Sequence, residues 1–498
     1  MFLDVTKAYD KAWLNAILYT AHKHGLKGKN WRIMKELNNN LTATVRTEVG
    51  NTRTIKIRDS IRQGGVLSVI EYANLIDEIA KELKERTVGN QKLWSNNISG
   101  CLLWMDDVAL IHHDKDELQK MLDITDDIAK RYHIKFGKEK SQILTIGKNE
   151  STPQGGAEIG DLTLDNTATY KYLGMIVNNK GSLQDHLTKT KGKVEAALQT
   201  IFSLAGNAEF YNIEMATIWR LFHSCIIPIL TYGAETWIPT KAEQKYAQNI
   251  LNNTIKRILM TPTSTPSEIL IAETGIWDIE TQMAKKQITY YHKIKTTHDE
   301  KSTIAKTISD RLNPWNKQLN KTMTKMEINH EELMSKTKYQ AKKYIIKKLK
   351  AYQIKKIYIA AENKSKVRDY VCNKTRESIA ATPRYMNKLN RMACTNIFNT
   401  RARMLKVKRN YRNQYTDMTC RWCHQQEESQ VHILTECAEF KEITKNTQYE
   451  LYYKEDKIST KAASEILNRV IHQINLMNQS EAQTNNPNKI LKPRQNQK

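Results

Sequence analysis

The sequence predicts an α+β fold: a split βαβ (ferredoxin-like) sheet, then a long helical region, then a small module folded on a metal. Three observations predict it. Phe2-Leu3-Asp4-Val5, Gly100 to Ile111 and Ile143-Leu144-Thr145-Ile146 read as short strands separated by helical stretches. Beyond Leu183 the apolar spacing turns helical. Near the C-terminus, Cys420, Cys423, His432 and Cys437 stand at the intervals of metal ligands.

After the Asp4 strand, Thr6 can cap a helix to about His24, with Gly25 as its stop. A second helix from about Asn30 carries Trp31, Ile33, Met34 and Leu37. Val45, Thr47 and Val49 alternate, Gly50-Asn51 turns the chain, and Thr54 to Ile57 returns as the partner strand. The polar loop Arg62-Gln63-Gly64-Gly65 leads into a helix from about Ser68 to Glu85, with Ile70, Ala73, Ile76, Ile79 and Leu83 on one face. Next comes an apolar hairpin whose expected turn is Asp106-Asp107. Adjacent aspartates repel in a tight turn unless a cation lies by them, so they are either solvated or ligands. A helix from about Asp116 to Tyr132 and the strand 143–146 complete a strand, helix, hairpin, helix, strand order. That order brings the end of the Asp4 strand beside the Asp-Asp turn.

A further β element is expected from Asp161 to Gly181. An apolar helix should span about Glu214 to Ile227 and end or kink at Pro228, and another about Ala242 to Leu259. Residues after His298 read as a linker or looser helices. From Lys336 to Lys356 a helix carries Lys342, Lys343 and Lys347 among other lysines, with no acidic residue between them. It reads either as a solvated basic face or as a phosphate-tracking one. The tail after about Met477 is expected to be disordered.

The chain has 498 residues, 40% of them hydrophobic, enough for two or three domains. Its net charge of +25 points to polyanionic partners. No apolar run approaches the ~20 residues of a spanning helix, so no membrane partner is expected. Met1-Phe2-Leu3-Asp4 lacks the regions of a secretory signal. Seven cysteines, three of them close together, suggest a reducing, intracellular setting with one metal site. Cys420-x2-Cys423-x8-His432-x4-Cys437 offers three thiolates and an imidazole for a closed tetrahedral Zn2+ site, with His424 a poorer ligand. Upstream, Arg401, Arg403, Lys406, Lys408, Arg409 and Arg412 form a basic cluster suited to a nucleic-acid backbone.

Several stretches in this order resemble the reverse transcriptases of non-LTR (LINE-type) retrotransposons. Phe2-Leu3-Asp4 through Ala8-Tyr9-Asp10 is similar to their first catalytic motif, and Arg62-Gln63-Gly64-Gly65-Val66-Leu67-Ser68 to their Arg-Gln-Gly loop. Trp104-Met105-Asp106-Asp107 stands where the family has an aromatic, a small residue and two aspartates. Lys140 in Gly137-Lys138-Glu139-Lys140-Ser141 resembles a lysine motif, and Tyr172-Leu173-Gly174 a primer-contacting hairpin. Leu230 to Trp237 resembles a stretch of the thumb, and the Cys-His module a C-terminal zinc knuckle.

The resemblance implies a polymerase palm over 1–150 with its fingers missing, a primer-grip β element over 151–185 and a helical thumb over 186–298. A basic helical linker (299–400), the basic cluster and zinc knuckle (401–440), a helical extension (441–476) and the tail (477–498) would follow. It implies an RNA-directed DNA polymerase using two Mg2+ ions, an RNA template, a DNA primer or target and deoxyribonucleoside triphosphates. Asp4 and Asp106 would hold the metals, Asp107 would tune them, and Lys140 would protonate the departing pyrophosphate. Tyr9 would exclude a 2′-hydroxyl, Arg62, Gln63 and Gly64 would contact nucleotide and template, and Asp10 would cap or orient. Only three residues precede Asp4 and 61 follow Cys437, so a truncated member without an endonuclease is expected. It would act in a ribonucleoprotein in the nucleus or cytoplasm. The alternative is an inactive remnant that binds nucleic acid through the thumb, the Lys-rich helix and the knuckle.

Overall fold

Leu3 lies between Phe2 and Asp4, and in an extended chain only the middle one of three faces the core. It is buried, and Phe2–Asp4 forms strand β1. Cys101–Trp104 (β2) and Asp107–Leu110 (β3) make the expected hairpin, and Gln142–Leu144 (β4) returns beside β1. The sheet runs β4-β1-β3-β2 with all neighbours antiparallel, the strand order of a split βαβ unit. Asp165–Thr167 (β5) adds parallel to β4 at the edge. In this computed structural model the described residues are 1–484, apart from 40, 58–59, 94–95, 148–155, 204–212, 300–301, 377, 446 and 455–456.

Helices Leu14–Lys23 (α1), Ser68–Glu85 (α2) and Lys115–Arg131 (α3) pack around this sheet, α2 touching both of the others. The first turns after β1 are not helical, so α1 starts seven residues later than its Thr6 cap suggested. α2 keeps its expected bounds but rotates: Tyr72, Leu75, Ile76, Ile79 and Leu83 are buried, while Ile70 is exposed. Asp114 caps α3 by accepting from the Glu117 N–H. Gly100, at the foot of β2, packs so closely that a Cβ there would lie 1.9 Å from the Ile111 carbonyl oxygen. Only glycine fits. The exposed hairpin turns at Glu48-Val49, two residues earlier than expected, because Arg46 pairs with Asn51 and Thr47 with Gly50.

The chain divides into two compact units, Met1–His186 with Asp299–Asn316, and Leu187–His298 with Lys317–Lys498. The second is helical. Pro228 does not end its first apolar helix: Met215–Leu221 runs through a π turn, Phe222–Ile226, into Ile227–Leu230. Proline lacks an N–H and its ring collides with the carbonyl four residues back, and the wider turn accommodates both. The stretch after His298 is more ordered than a linker, with helices Thr303–Ser309, Pro314–Lys325 and His330–Met334. Thr240–Glu243 and Thr337–Gln340 form capping boxes that open Lys241–Ile258 and Lys338–Asn363. Disorder from Met477 is corrected as well: Lys457–Thr484 is one helix, held where Arg421 Nη1 donates to Asn478 and Glu481. Residues 485–498 lie outside the described residues.

A buried acid ties the second unit together. Glu273, fully buried, accepts from Arg401 Nη1 and the Tyr385 hydroxyl, each at 2.8 Å, from Lys374 Nζ at 2.9 Å, and from the Tyr370 hydroxyl. Burial pushes its carboxyl up, but Lys374 and Arg401 outweigh that and hold it well below the ordinary range. Glu273→Ala takes the shared carboxylate away from two buried cations. Chemical denaturation of the full chain should then show a loss of about 3–5 kcal/mol, and a loss under about 1 would mean the network is dispensable.

Candidate active site and metal centre

The hairpin between β2 and β3 sets the geometry of the acidic residues. Trp104 pairs with Asp107, so the loop is Met105-Asp106 and not Asp106-Asp107. Met105 takes a left-handed φ of 55°, a strained choice for a large side chain. The one-residue shift separates the two acids. Asp106 stays exposed in the loop, and Asp107 enters β3 directly across from Asp4. Like charges facing each other across strands are unfavourable. Burial first, then Asp106 and Asp4, raise the Asp107 carboxyl above its ordinary range, against Lys140 and Lys171, which lower it.

The backbone around Asp4 is fixed on both sides. Its carbonyl accepts from the Gly137 N–H at 2.9 Å, its N–H donates to Ser141 Oγ at 3.2 Å, and Val5 N–H donates to the Asp106 carbonyl at 3.3 Å. A Cβ on Gly137 would lie 3.1 Å from Thr6 Oγ1, so the loop bearing Lys140 lies tight against β1. Lys140 Nζ is 3.5 Å from Asp4 Oδ1 and largely exposed. Tyr9 stacks on Tyr72 with ring centroids 5.3 Å apart, and its hydroxyl donates to Met105 Sδ at 3.7 Å. Burial and then Asp106 raise the Tyr9 phenol. The Tyr9 ring therefore stands beside the acidic loop.

Gln63 Nε2 donates to Asp10 Oδ1 at 3.0 Å. Gly64 has φ +80°, a left-handed turn residue, and Arg62 is exposed. Tyr172-Leu173-Gly174 lies at the turn between strands Thr169–Tyr172 and Met175–Asn178, with φ positive at both Leu173 and Gly174. The hairpin is docked on β1: Phe2 stacks on Tyr170 at 4.1 Å and lies 5.3 Å from Tyr172, and the Tyr170 hydroxyl donates to the Lys140 carbonyl. Burial, then Asp107 and Asp4, push the Tyr170 phenol up to about 12. Sequence reasoning missed Tyr72, Ser141 and Lys171. Tyr72 was legible in principle, since it lies four residues before Ile76 on the same helical face.

Hard oxygen donors of this kind suit Mg2+; Asp4 and Asp107 face each other across β1 and β3, and Asp106 adjoins them in the loop. They are less tightly gathered than the second donor set. Among the described residues, the side chains whose ligand atoms all lie within 4.8 Å of one another are Cys420, Cys423, His432 and Cys437. Cys420 and Cys437 Sγ are 3.9 Å apart, close to the ~3.8 Å edge of a tetrahedron with ~2.3 Å metal–sulfur bonds. Cys423 Sγ lies 3.2 Å from His432 Nε2. His432–Glu436 is a π turn and Cys437 N–H donates to the His432 carbonyl, which puts these two ligands on one side. Against burial, the Gln425 N–H and His432 bring the Cys423 thiol down to about 7. His432 Nδ1 is 3.7 Å from Glu436 Oε2.

The basic cluster upstream is corrected. Arg401 is buried on Glu273, and buried Lys408 donates to Asp417 and the Thr419 carbonyl. Arg403 pairs with Asp369 at 2.7 Å and Arg409 with Glu427 at 2.5 Å. Lys406 remains exposed, and the Arg412 side chain lies outside the described residues. The partners of Arg401 and Arg403 are far off in sequence, so the local pattern could not show them. Lys342, Lys343 and Lys347 are exposed, as a binding face requires.

Residues 1–177 match the family model for reverse transcriptase (RNA-dependent DNA polymerase). The chain is similar to the RNA-directed DNA polymerase from mobile element jockey of Drosophila melanogaster, 21% identical over 319 residues, 63% of this chain and 32% of that one. It is 24% identical over 245 residues to the jockey polymerase of Drosophila funebris, 47% of this chain and 25% of that one. With the retrovirus-related Pol polyprotein from type-1 retrotransposable element R2 of Popillia japonica it shares 22% over 287 residues, 54% of this chain and 37% of the other. The chain thus spans about a third of the length of the first relative.

The raised Asp107 carboxyl has a pH consequence. A proton held more tightly in the folded state stabilises it below the ordinary carboxylate range, and that contribution is lost as pH rises through the raised value. In chelator, Asp107→Asn should therefore melt above the natural chain at neutral pH, the gap closing towards pH ~4. A gap independent of pH would mean that Asp107 feels no neighbouring charge.

Proposed function

We propose that this chain, whose first 177 residues match the reverse transcriptase family model, is an RNA-directed DNA polymerase of the non-LTR retrotransposon type that extends a DNA primer on an RNA template. The observation that carries the reading is Asp4 facing Asp107 across β1 and β3, with Asp106 on the adjoining loop and Tyr9 and Lys140 beside them. Asp4 and Asp106 would hold two Mg2+ ions, with Asp107 adjusting their charge. Such ions, when bound, lower the pKa of the primer 3′-hydroxyl and neutralise the triphosphate. Tyr9, braced by Tyr72, presents a flat ring that leaves no room for a 2′-hydroxyl and so selects deoxyribonucleotides. Lys140 carries a proton within reach of the acids and would give it to the departing pyrophosphate. Arg62, Gln63 and Gly64 would line the nucleotide and template, and the Tyr172-Leu173-Gly174 turn would hold the primer end.

Asp106→Asn should abolish extension of an annealed primer with Mg2+ while leaving the melting temperature near that of the natural chain. Undiminished extension would remove this loop from the metal site.

The same proposal gives Cys420, Cys423, His432 and Cys437 a structural Zn2+ and a knuckle-like fold. Its support is geometric: the four donors lie within 4.8 Å of one another, and Cys420 and Cys437 Sγ stand 3.9 Å apart. The purified full chain should carry one zinc by metal analysis. Cys423→Ser should lose it, whereas Cys394→Ser, buried elsewhere, should not. Zinc retained by Cys423→Ser would overturn this ligand set. Among the described residues no helix is long and apolar enough to cross a membrane. We place the protein inside the cell, in a ribonucleoprotein of the nucleus or cytoplasm.

A further inference from the structure

The Lys338–Asn363 helix does more than display lysines. Lys347, Ala351, Ile354 and Tyr358 follow one another at i, i+4, i+7 and i+11, one face of a helix. From Ala351 onward that face is the wall of a cleft of about 640 Å³. Met326, Ala351 and Ile354 give it an apolar lining, and Lys325, Lys348, Lys355 and Arg376 surround it with positive charge. Glu327 is the one acid among the lining residues, and it is matched by Lys355 at 3.1 Å. Lys325 is matched by Glu280, outside the lining. Among the described residues neither Lys348 nor Arg376 has a carboxylate within ion-pair distance; Lys348 lies 5.7 Å from the Tyr344 ring centroid and feels Glu327 and Glu332 from further off, and Arg376 is exposed. Tyr358 is 37% exposed and makes no hydrogen bond or ring contact among the described residues.

Two cations without a close ion pair, an aromatic ring free to stack and an apolar lining are the parts of a site for a polyanion with flat faces. The cations would take phosphates and Tyr358 would stack on a base. A cleft of this volume accepts small-molecule-sized groups, which fits an unpaired base and its neighbours and not a whole duplex. We propose that this cleft binds single-stranded nucleic acid, with Lys348 and Arg376 on the phosphates, Tyr358 under a base, and Lys343 and Lys347 continuing the track along the helix. The proposal rests on the reading of the chain as a nucleic-acid polymerase, and adds a second strand-binding site formed wholly by residues of the second unit.

The test uses the full chain and a labelled mixed-sequence single strand of about twenty nucleotides, as RNA and as DNA, with binding followed by anisotropy over a salt series. Lys348→Ala with Arg376→Ala should lower the magnitude of the log K against log salt slope by about 1.4, two phosphates at ~0.7 each for a single strand. Lys115→Ala with Lys189→Ala removes the same charge from exposed positions elsewhere and should leave the slope unchanged. Tyr358→Ala should weaken binding at least about fivefold at fixed salt with the slope intact, since stacking and not charge is lost. Preference for RNA or DNA identifies which strand the cleft serves. Binding and slope unaltered in all cleft variants would overturn the proposal, as would an equal loss in the Lys115/Lys189 pair. Extension of a pre-annealed primer is measured alongside. Extension that persists while the cleft variants bind normally sinks the cleft and spares the polymerase, and lost strand binding without extension in any chain does the reverse.

Discussion

The pairing of β1 with β3 is the constraint on which the catalytic reading depends. Leu3 pairs with Val108, and both are buried. Burying two such side chains fixes the register, because a slip of one residue would turn each to the opposite face. That register leaves Asp4 and Asp107 no choice but to face each other. Hydrophobic burial therefore holds together two charges that repel, and the Asp107 carboxyl is raised by its burial first and then by Asp106 and Asp4.

The two units treat clustered charge in opposite ways. At Glu273 the chain supplies its own compensation: two cations and two phenols converge on one buried carboxylate and leave nothing for an outside ion. At Asp4, Asp106 and Asp107 the ion pair among the described residues is exposed Lys140 on one oxygen of Asp4, and Lys140 and Lys171 do not offset what raises the Asp107 carboxyl. An acid satisfied from within is architecture. The acidic edge has no such enclosure: it adjoins the exposed Asp106 loop and the half-buried Tyr9 ring, as the proposed metal-binding role requires. The same distinction separates Arg401, consumed by the core, from Arg376, which faces the cleft.

Much of the first unit was legible because its signals are local. The alternation around Leu3, the apolar run broken by two aspartates and the periodicity of Ser68–Glu85 each act over a few residues. Some local misses are of one or two residues. Asp106-Asp107 looked like the turn, yet Met105 enters the left-handed region and shifts the loop back. Ile70 looked like core, yet the sheet selects the face led by Tyr72. In the second unit the misses are long-range. Nothing near Arg401 announces Glu273, 128 residues away, and nothing in the polar tail announces that Arg421 would hold Asn478 and Glu481. The cysteine-histidine set was readable because its spacing is short, although the turn that joins its last two members was not.

That turn has a consequence for how the module tolerates change in length. His432 and Cys437 are five residues apart and meet on one side because the chain between them is wound as a π turn, closed by Cys437 N–H on the His432 carbonyl. An ordinary α turn closes the same kind of loop with one residue fewer. A deletion between these two ligands would tighten the coil by one step and still return the thiol to the imidazole. The interval from Cys420 to Cys423 has no such slack, since it is a tight turn with His424 already in the left-handed region behind it. One side of the centre is thus a fixed bracket and the other an adjustable arm.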